Sequence, residues 1–145
     1  MSEEELKDRI LHAYDESINK GNMSALDDIF AEDMVDHSIA AASGEVGLNG
    51  FKNRIKDHRI GLPDLVFTIE NMIMEGDKLA FHWTFCGTQS GPWMGQPPTD
   101  IPLKMSGMNM ERLFNDRIVE HWSYPDIMGA MAQIGFFPGS GHRGL

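Results

Sequence analysis

Two stretches of the chain place proton-transfer groups next to one another. Asp36-His37 closes the apolar pair Met34-Val35. His121 and Ser123 stand two residues apart in the run Arg117 to Tyr124, with Asp126 just beyond. A carboxylate or imidazole on an apolar wall becomes a general acid or base when its surroundings move its pKa toward neutrality. Asp36 and His37 therefore read as a base, or an Asp-His pair, at a cavity edge, against a surface pair that tidies the following loop. Strand alternation puts His121 and Ser123 on one face. If Asn109 lies on the adjacent strand, its amide and the Ser123 hydroxyl would donate to a carbonyl or enolate oxygen although neither moves a proton. The plainer reading of His121 is cross-strand pairing with a Glu or backbone group, and the plainer reading of Asp126 is an N-cap for a helix starting at Ile127, with a catalytic role as the alternative.

Other chemistries lack their residues. One cysteine, Cys86, excludes an internal disulfide and a thiolate zinc cluster, and six scattered histidines show no metal-ligand spacing. There is no glycine-rich phosphate loop and no Gly-x-Ser-x-Gly elbow. No cofactor and no metal are expected. The 145 residues carry 12 basic and 22 acidic side chains, a net charge of −10, which argues against nucleic acid and anionic membrane as partners. Residues 1 to 36 hold 11 of the acids and three bases, so the acidity belongs to the N-terminal helices. The sparse cysteine, the acidic start MSEEELKDRI and the lack of a long apolar run point to a cytoplasmic protein.

The elements that must position these groups follow from periodicity. Ser2 with Glu5 forms a capping box, and Leu6, Ile10, Ala13, Tyr14, Ser17 and Ile18 recur at helical spacing up to Lys20-Gly21-Asn22. A shorter helix is predicted over Ser24 to Ala31, a short strand at Met34 to His37, a Gly/Ala/Ser-rich loop over Ile39 to Gly47, and a helix with Leu48, Phe51, Ile55 and Leu62 inward, ended by Pro63. From Leu65 the period becomes two. Hairpins turn at Glu75-Gly76-Asp77 and at Asn115-Asp116, and a long Gly- and Pro-rich loop spans 87 to 102. In Lys78 to Cys86 either Leu79, Phe81, Trp83 and Phe85 or His82 and its neighbours face a cavity; the pattern leaves both open. A last short helix covers Asp126 to Ile134. The sum is one α+β domain, a curved antiparallel sheet folded over its helices.

The segments Gly21-Asn22-Met23-Ser24-Ala25-Leu26-Asp27, Asp33 to His37, Gly87-Thr88, Met94 to Thr99, Asp116 to Trp122 and Pro125-Asp126, in this order, resemble the SnoaL-like polyketide cyclases, also known as predicted ester cyclases. That resemblance implies a cone-shaped barrel of the nuclear transport factor type, wrapped around N-terminal helices and enclosing one apolar cavity, in a dimer or higher homo-oligomer without a cofactor. It also implies an aspartate acid/base and an assisting histidine for intramolecular aldol closure. Here those positions hold Ser123 and Asn109, which cannot exchange protons in the same way.

Two functions are therefore expected in competition. One is cofactor-independent acid/base chemistry (cyclisation, isomerisation or aldol/enolisation) on a small hydrophobic carbonyl compound. Asp36 or His37 would move the proton, and Trp83, Trp93 and Trp122, with Met105 and Met128, would form apolar walls. The other is a non-catalytic binding or assembly module that keeps the cavity and has lost its acid/base residues. The methionines Met72, Met74, Met94, Met105, Met108, Met110, Met128 and Met131 cluster on the sheet, the loop and the last helix, the elements expected to wall an adaptable pocket.

Overall fold

The computed structural model describes residues 1–38 and 44–136; most of the Ile39 to Gly47 loop and His142 lie outside them. Helix α1 (Glu3–Tyr14) is capped by Ser2, whose Oγ accepts from the Glu5 N–H at 3.1 Å, and runs into a wider turn at Asp15–Asn19. The stretch expected to be a second helix forms only a tight 3₁₀ segment, Met23–Asp28, because the chain must enter the sheet at Phe30: the Ile118 N–H already donates to Ile29 O at 2.7 Å. Strand β1 (Phe30–Asp36) thus begins earlier than its sequence suggested, and helix α2 (Gly47–Gly61) follows.

Strands β2 (Val66–Glu75), β3 (Lys78–Thr88), β4 (Pro102–Phe114) and β5 (Arg117–Pro125) form an antiparallel meander, and β1 adds in parallel to β5, giving the order β1-β5-β4-β3-β2. Helix α3 (Ile127–Gln133) completes the chain. The hairpin turns have the chemistry their residues demand. Gly76 supplies φ +60° at the first turn, and Asn115 and Asp116 both take positive φ at the second.

Three irregularities bend the sheet: between Phe30 and Val35, between Ile69 and Asn71, and between Arg112 and Leu113. At the second, one extra residue in β2 lets Phe67 and Ile69 and then Met72 and Met74 all lean inward, across a break in strict alternation. The edge at the start of β2 is closed by Asn19, whose side chain accepts from Phe67 N–H at 2.7 Å and donates to Phe67 O at 2.9 Å.

The curled sheet wraps the helices around Tyr14, Phe30 and Phe81, which are all essentially buried. Tyr14 meets Phe30 and Phe81 edge-on, and Phe30 leans on Phe51 of α2. Phe81→Ala is expected to cost about 3–5 kcal/mol of unfolding free energy in urea titration, a large share of a domain's total; a loss below about 1 kcal/mol would contradict the assigned core.

Candidate active site

Period-two alternation on three strands supplies one wall of a cavity of about 750 Å³: Trp83 and Phe85 from β3, Met105 and Asn109 from β4, His121 and Ser123 from β5. Tyr14 and Ile18 line it from the first helical segment, Phe51, Arg54, Ile55 and His58 from α2, and Pro92 to Gly95 from the long loop. This settles the facing of β3. Trp83 is buried and lines the cavity, and His82 belongs to the outer face.

The register of β4 against β5 sets Asn109 opposite Ser123 and Glu111 opposite His121. Glu111 is fully buried, and its carboxylate accepts from the Tyr14 hydroxyl at 2.9 and 3.0 Å and pairs with His121 Nδ1 at 2.8 Å. A carboxylate can only accept, so Nδ1 carries the hydrogen and Nε2 is the ring nitrogen left for a ligand. Burial and the neighbouring Glu111 charge push the Tyr14 hydroxyl well above its ordinary pKa, so it remains a donor. The His121 ring is held between the edges of Phe51 and Phe30, with centroids at 4.9 and 6.2 Å.

The Trp83 indole N–H donates to Asn109 Oδ1 at 2.8 Å, which occupies the amide oxygen and leaves the amide nitrogen as the donor for a ligand. Gly107 makes this possible: a Cβ there would lie 2.3 Å from the Trp83 ring. Asp36 lines the cavity but is committed to Arg54 Nη2 at 2.7 Å and to the Ser38 N–H at 2.9 Å. Burial alone would raise its pKa; His121, Ser38 and Arg54 together outweigh that and hold the carboxyl below the usual range. It is an ionised charge next to the imidazole rather than a neutral-pH base.

At another part of the wall the Trp93 indole donates to His58 Nδ1 at 2.9 Å. Burial lowers the His58 pKa to about 4, so this imidazole is neutral. The loop that carries Trp93 is pinned by buried Gln89, whose side chain donates to Pro97 O at 2.9 Å and accepts from the Thr99 hydroxyl at 2.6 Å. Gly61 leaves room for it, since a Cβ there would meet Trp93 at 2.7 Å.

Other residues singled out from the sequence lie elsewhere. His37 is exposed, stacked on Trp122 with centroids 4.7 Å apart and paired with Glu120 at 2.7 Å; both rings belong to the outer face, because β5 turns Trp122 away from His121 and Ser123. Asp126 is exposed and caps α3 by accepting from the Gly129 N–H at 2.9 Å. Met128 is 62% exposed on the outer side of that helix and forms no wall, nor does Met108 at 51%. Met94 and Met105 do line the cavity. Sequence reasoning passed over Glu111, Tyr14, Arg54 and His58. The available signal was Glu111 itself, an acid on the same strand face as Met105, Asn109 and Leu113. Among the described residues no group of three His, Cys, Asp or Glu side chains is arranged to hold a metal ion, and no helix is long and apolar enough to cross a membrane.

The family model for SnoaL-like polyketide cyclases matches residues 8–134. No curated protein sequence matches. IdmH from Streptomyces antibioticus, assigned as a polyketide cyclase, is 31% identical with a TM-score of 0.77, covering 90% of this chain and 98% of its own. A protein of Acidithiobacillus ferrooxidans with the same assignment is 28% identical with a TM-score of 0.78, covering 92% and 97%. TsrD from Streptomyces laurentii has a TM-score of 0.87 at 21% identity, covering 94% and 99%, a likeness of fold.

His58 also sets a pH dependence. Between pH 6.5 and about 4 the unfolded chain binds a proton at His58 that the folded chain does not, so stability falls as pH drops through that window. Asp57 opposes this shift and Arg54 favours it. His58→Gln is expected to flatten the decline by up to one proton, at most about 1.4 kcal/mol per pH unit, in urea titrations across the window. An unchanged slope would contradict the half-buried, neutral imidazole.

Proposed function

The chain belongs to the SnoaL-like polyketide cyclase family, and we propose that it is a cofactor-independent acid/base catalyst in which His121, oriented by Glu111, moves the proton. The observation that carries this reading is the hydrogen-bond chain from Tyr14 through Glu111 to His121, which ends on the cavity. His121 Nε2 takes a proton from carbon next to a ligand carbonyl, and the electron pair moves to the carbonyl oxygen. The Asn109 amide and the Ser123 hydroxyl donate to the resulting enolate. The enolate carbon then adds to a second carbonyl of the same molecule, and the imidazolium returns its proton to the new alkoxide. Glu111, with Asp36 nearby, balances the imidazolium charge between the two transfers.

In this reading the acid/base role sits on the pair Glu111 and His121, one alternation along the sheet from the positions now held by Asn109 and Ser123. Isomerisation uses the same first step with reprotonation at another carbon. The mostly apolar wall and the balanced Asp36–Arg54 pair support a small hydrophobic, uncharged ligand. Exposed Ile73, Met108 and Tyr124 on the outer sheet face support assembly into a homo-oligomer. Replacement of the family's acid/base positions by Asn109 and Ser123 favours a second reading, a binding module without turnover.

Deuterium exchange at the α-carbon of β-tetralone in D₂O, followed by NMR, tests the first reading. The protein is expected to accelerate exchange; His121→Gln should remove roughly 10²-fold or more of that acceleration and Glu111→Gln an intermediate part, with near-ultraviolet circular dichroism unchanged. Acceleration that survives His121→Gln would overturn the assignment. Binding of β-tetralone without any acceleration would favour the binding module.

A further inference from the structure

His58 and its neighbour Asp57 are titratable groups in the cavity wall that the reaction above does not use, and of the two His58 offers a hydrogen-bond donor. Its Nδ1 is taken by Trp93, and an indole N–H can only donate, so the imidazole hydrogen must sit on Nε2. Among the described residues Nε2 makes no hydrogen bond, yet no buried side-chain nitrogen or oxygen among them lacks a partner. Nε2 is therefore an accessible donor on a residue that lines the cavity. The ring cannot swing away freely. It is wedged edge-on against Phe85, with centroids 5.6 Å apart, and tied to a Trp93 that is only 2% exposed.

Its distance from the proton-transfer group follows from α2. Phe51, which touches the His121 ring, and His58 are seven residues apart, two turns along the same helical face, a rise of about 10 Å. The sheet agrees: His121 is paired with Glu111, whereas Phe85, which touches His58, is paired with Met105, six positions back along β4. The cavity thus has hydrogen-bonding groups at both ends of an apolar body formed by Trp83, Phe85 and Ile55.

We propose that His58 is a ligand-binding and specificity-determining residue, donating from Nε2 to an oxygen at the end of the ligand remote from His121. The preferred ligand is a rigid, flat hydrophobic molecule with oxygen atoms at opposite ends, roughly 10 Å apart. An imidazole that donates without carrying charge selects a carbonyl or phenolic oxygen and gives a carboxylate no ion pair. Trp93 acts as a positioning residue, since its indole fixes the tautomer. The proposal extends the ligand class given under Proposed function, but it concerns binding and requires no turnover.

Titration by quenching of tryptophan fluorescence, with p-phenylphenol (one terminal oxygen) and p,p′-biphenol (one at each end), tests it. The unaltered protein is expected to bind p,p′-biphenol about 5- to 10-fold more tightly, the worth of one neutral hydrogen bond. His58→Phe should erase that preference while keeping the affinity for p-phenylphenol, and His58→Gln, which retains an N–H donor, should restore part of it. Trp93→Phe should reduce the preference by releasing the tautomer. The proposal is overturned if the protein shows no preference, if the preference survives His58→Phe, or if His58→Phe weakens both ligands equally, the sign of a merely structural brace. Because the titration involves no chemistry, it stands or falls separately from exchange on β-tetralone.

Discussion

The structure depends on one buried carboxylate. Glu111 has no exposure, and an ionised group removed from water costs several kcal/mol unless its acceptors are filled. Tyr14 from α1 and His121 from β5 fill them, so the helix and two strands are tied at one point inside a mostly apolar core. Removing Glu111 would leave both donors without their acceptor, and removing either donor would leave the buried carboxylate one bond short. The same three-way contact gives His121 its orientation, so the atoms that satisfy the polar groups of the core also position the base of the proposed reaction.

Around that point the cavity is shaped by backbone events rather than by large side chains alone. Gly107 lets Trp83 lie across β4 and Gly61 lets Trp93 rest on α2, while the extra residue in β2 leans Met72 and Met74 onto the core. The long loop is a fixed wall because Gln89 bonds across it from both ends of its amide. Methionine abundance, read as a marker of the cavity, divides in the structure. Met94 and Met105 line the space, Met131 fills the core, and Met108 and Met128 face outward.

The α+β class, the hairpin turns and the last helix with its Asp126 cap were legible because each rests on local chemistry: apolar period, turn residues with positive φ, and a cap acid. Asn109, His121 and Ser123 were legible as a group because alternation and strand adjacency suffice to gather them. Glu111 was not, for a specific reason. Counting back from the Asn115-Asp116 turn, an unbroken hairpin sets Glu111 opposite Glu120, an unfavourable like-charge pair. The irregularity after Arg112 shifts the register by one and brings His121 there instead. His37 misled in the opposite way: β1 joins β5 in parallel, and that pairing, invisible to local pattern, sets Asp36 inward and His37 out against Trp122. His58 was hidden because its partner Trp93 is 35 residues away, on a loop whose path no period reveals.

In the proposed reaction His121 is a base whose free nitrogen faces the cavity. Long-range ¹⁵N–¹H correlation spectra of the imidazole rings at neutral pH test it most directly. Two opposite tautomers are predicted, with the hydrogen on Nδ1 in His121, held by Glu111, and on Nε2 in His58, held by Trp93. A His121 ring protonated on Nε2 alone would leave no base facing the cavity and would rule that role out.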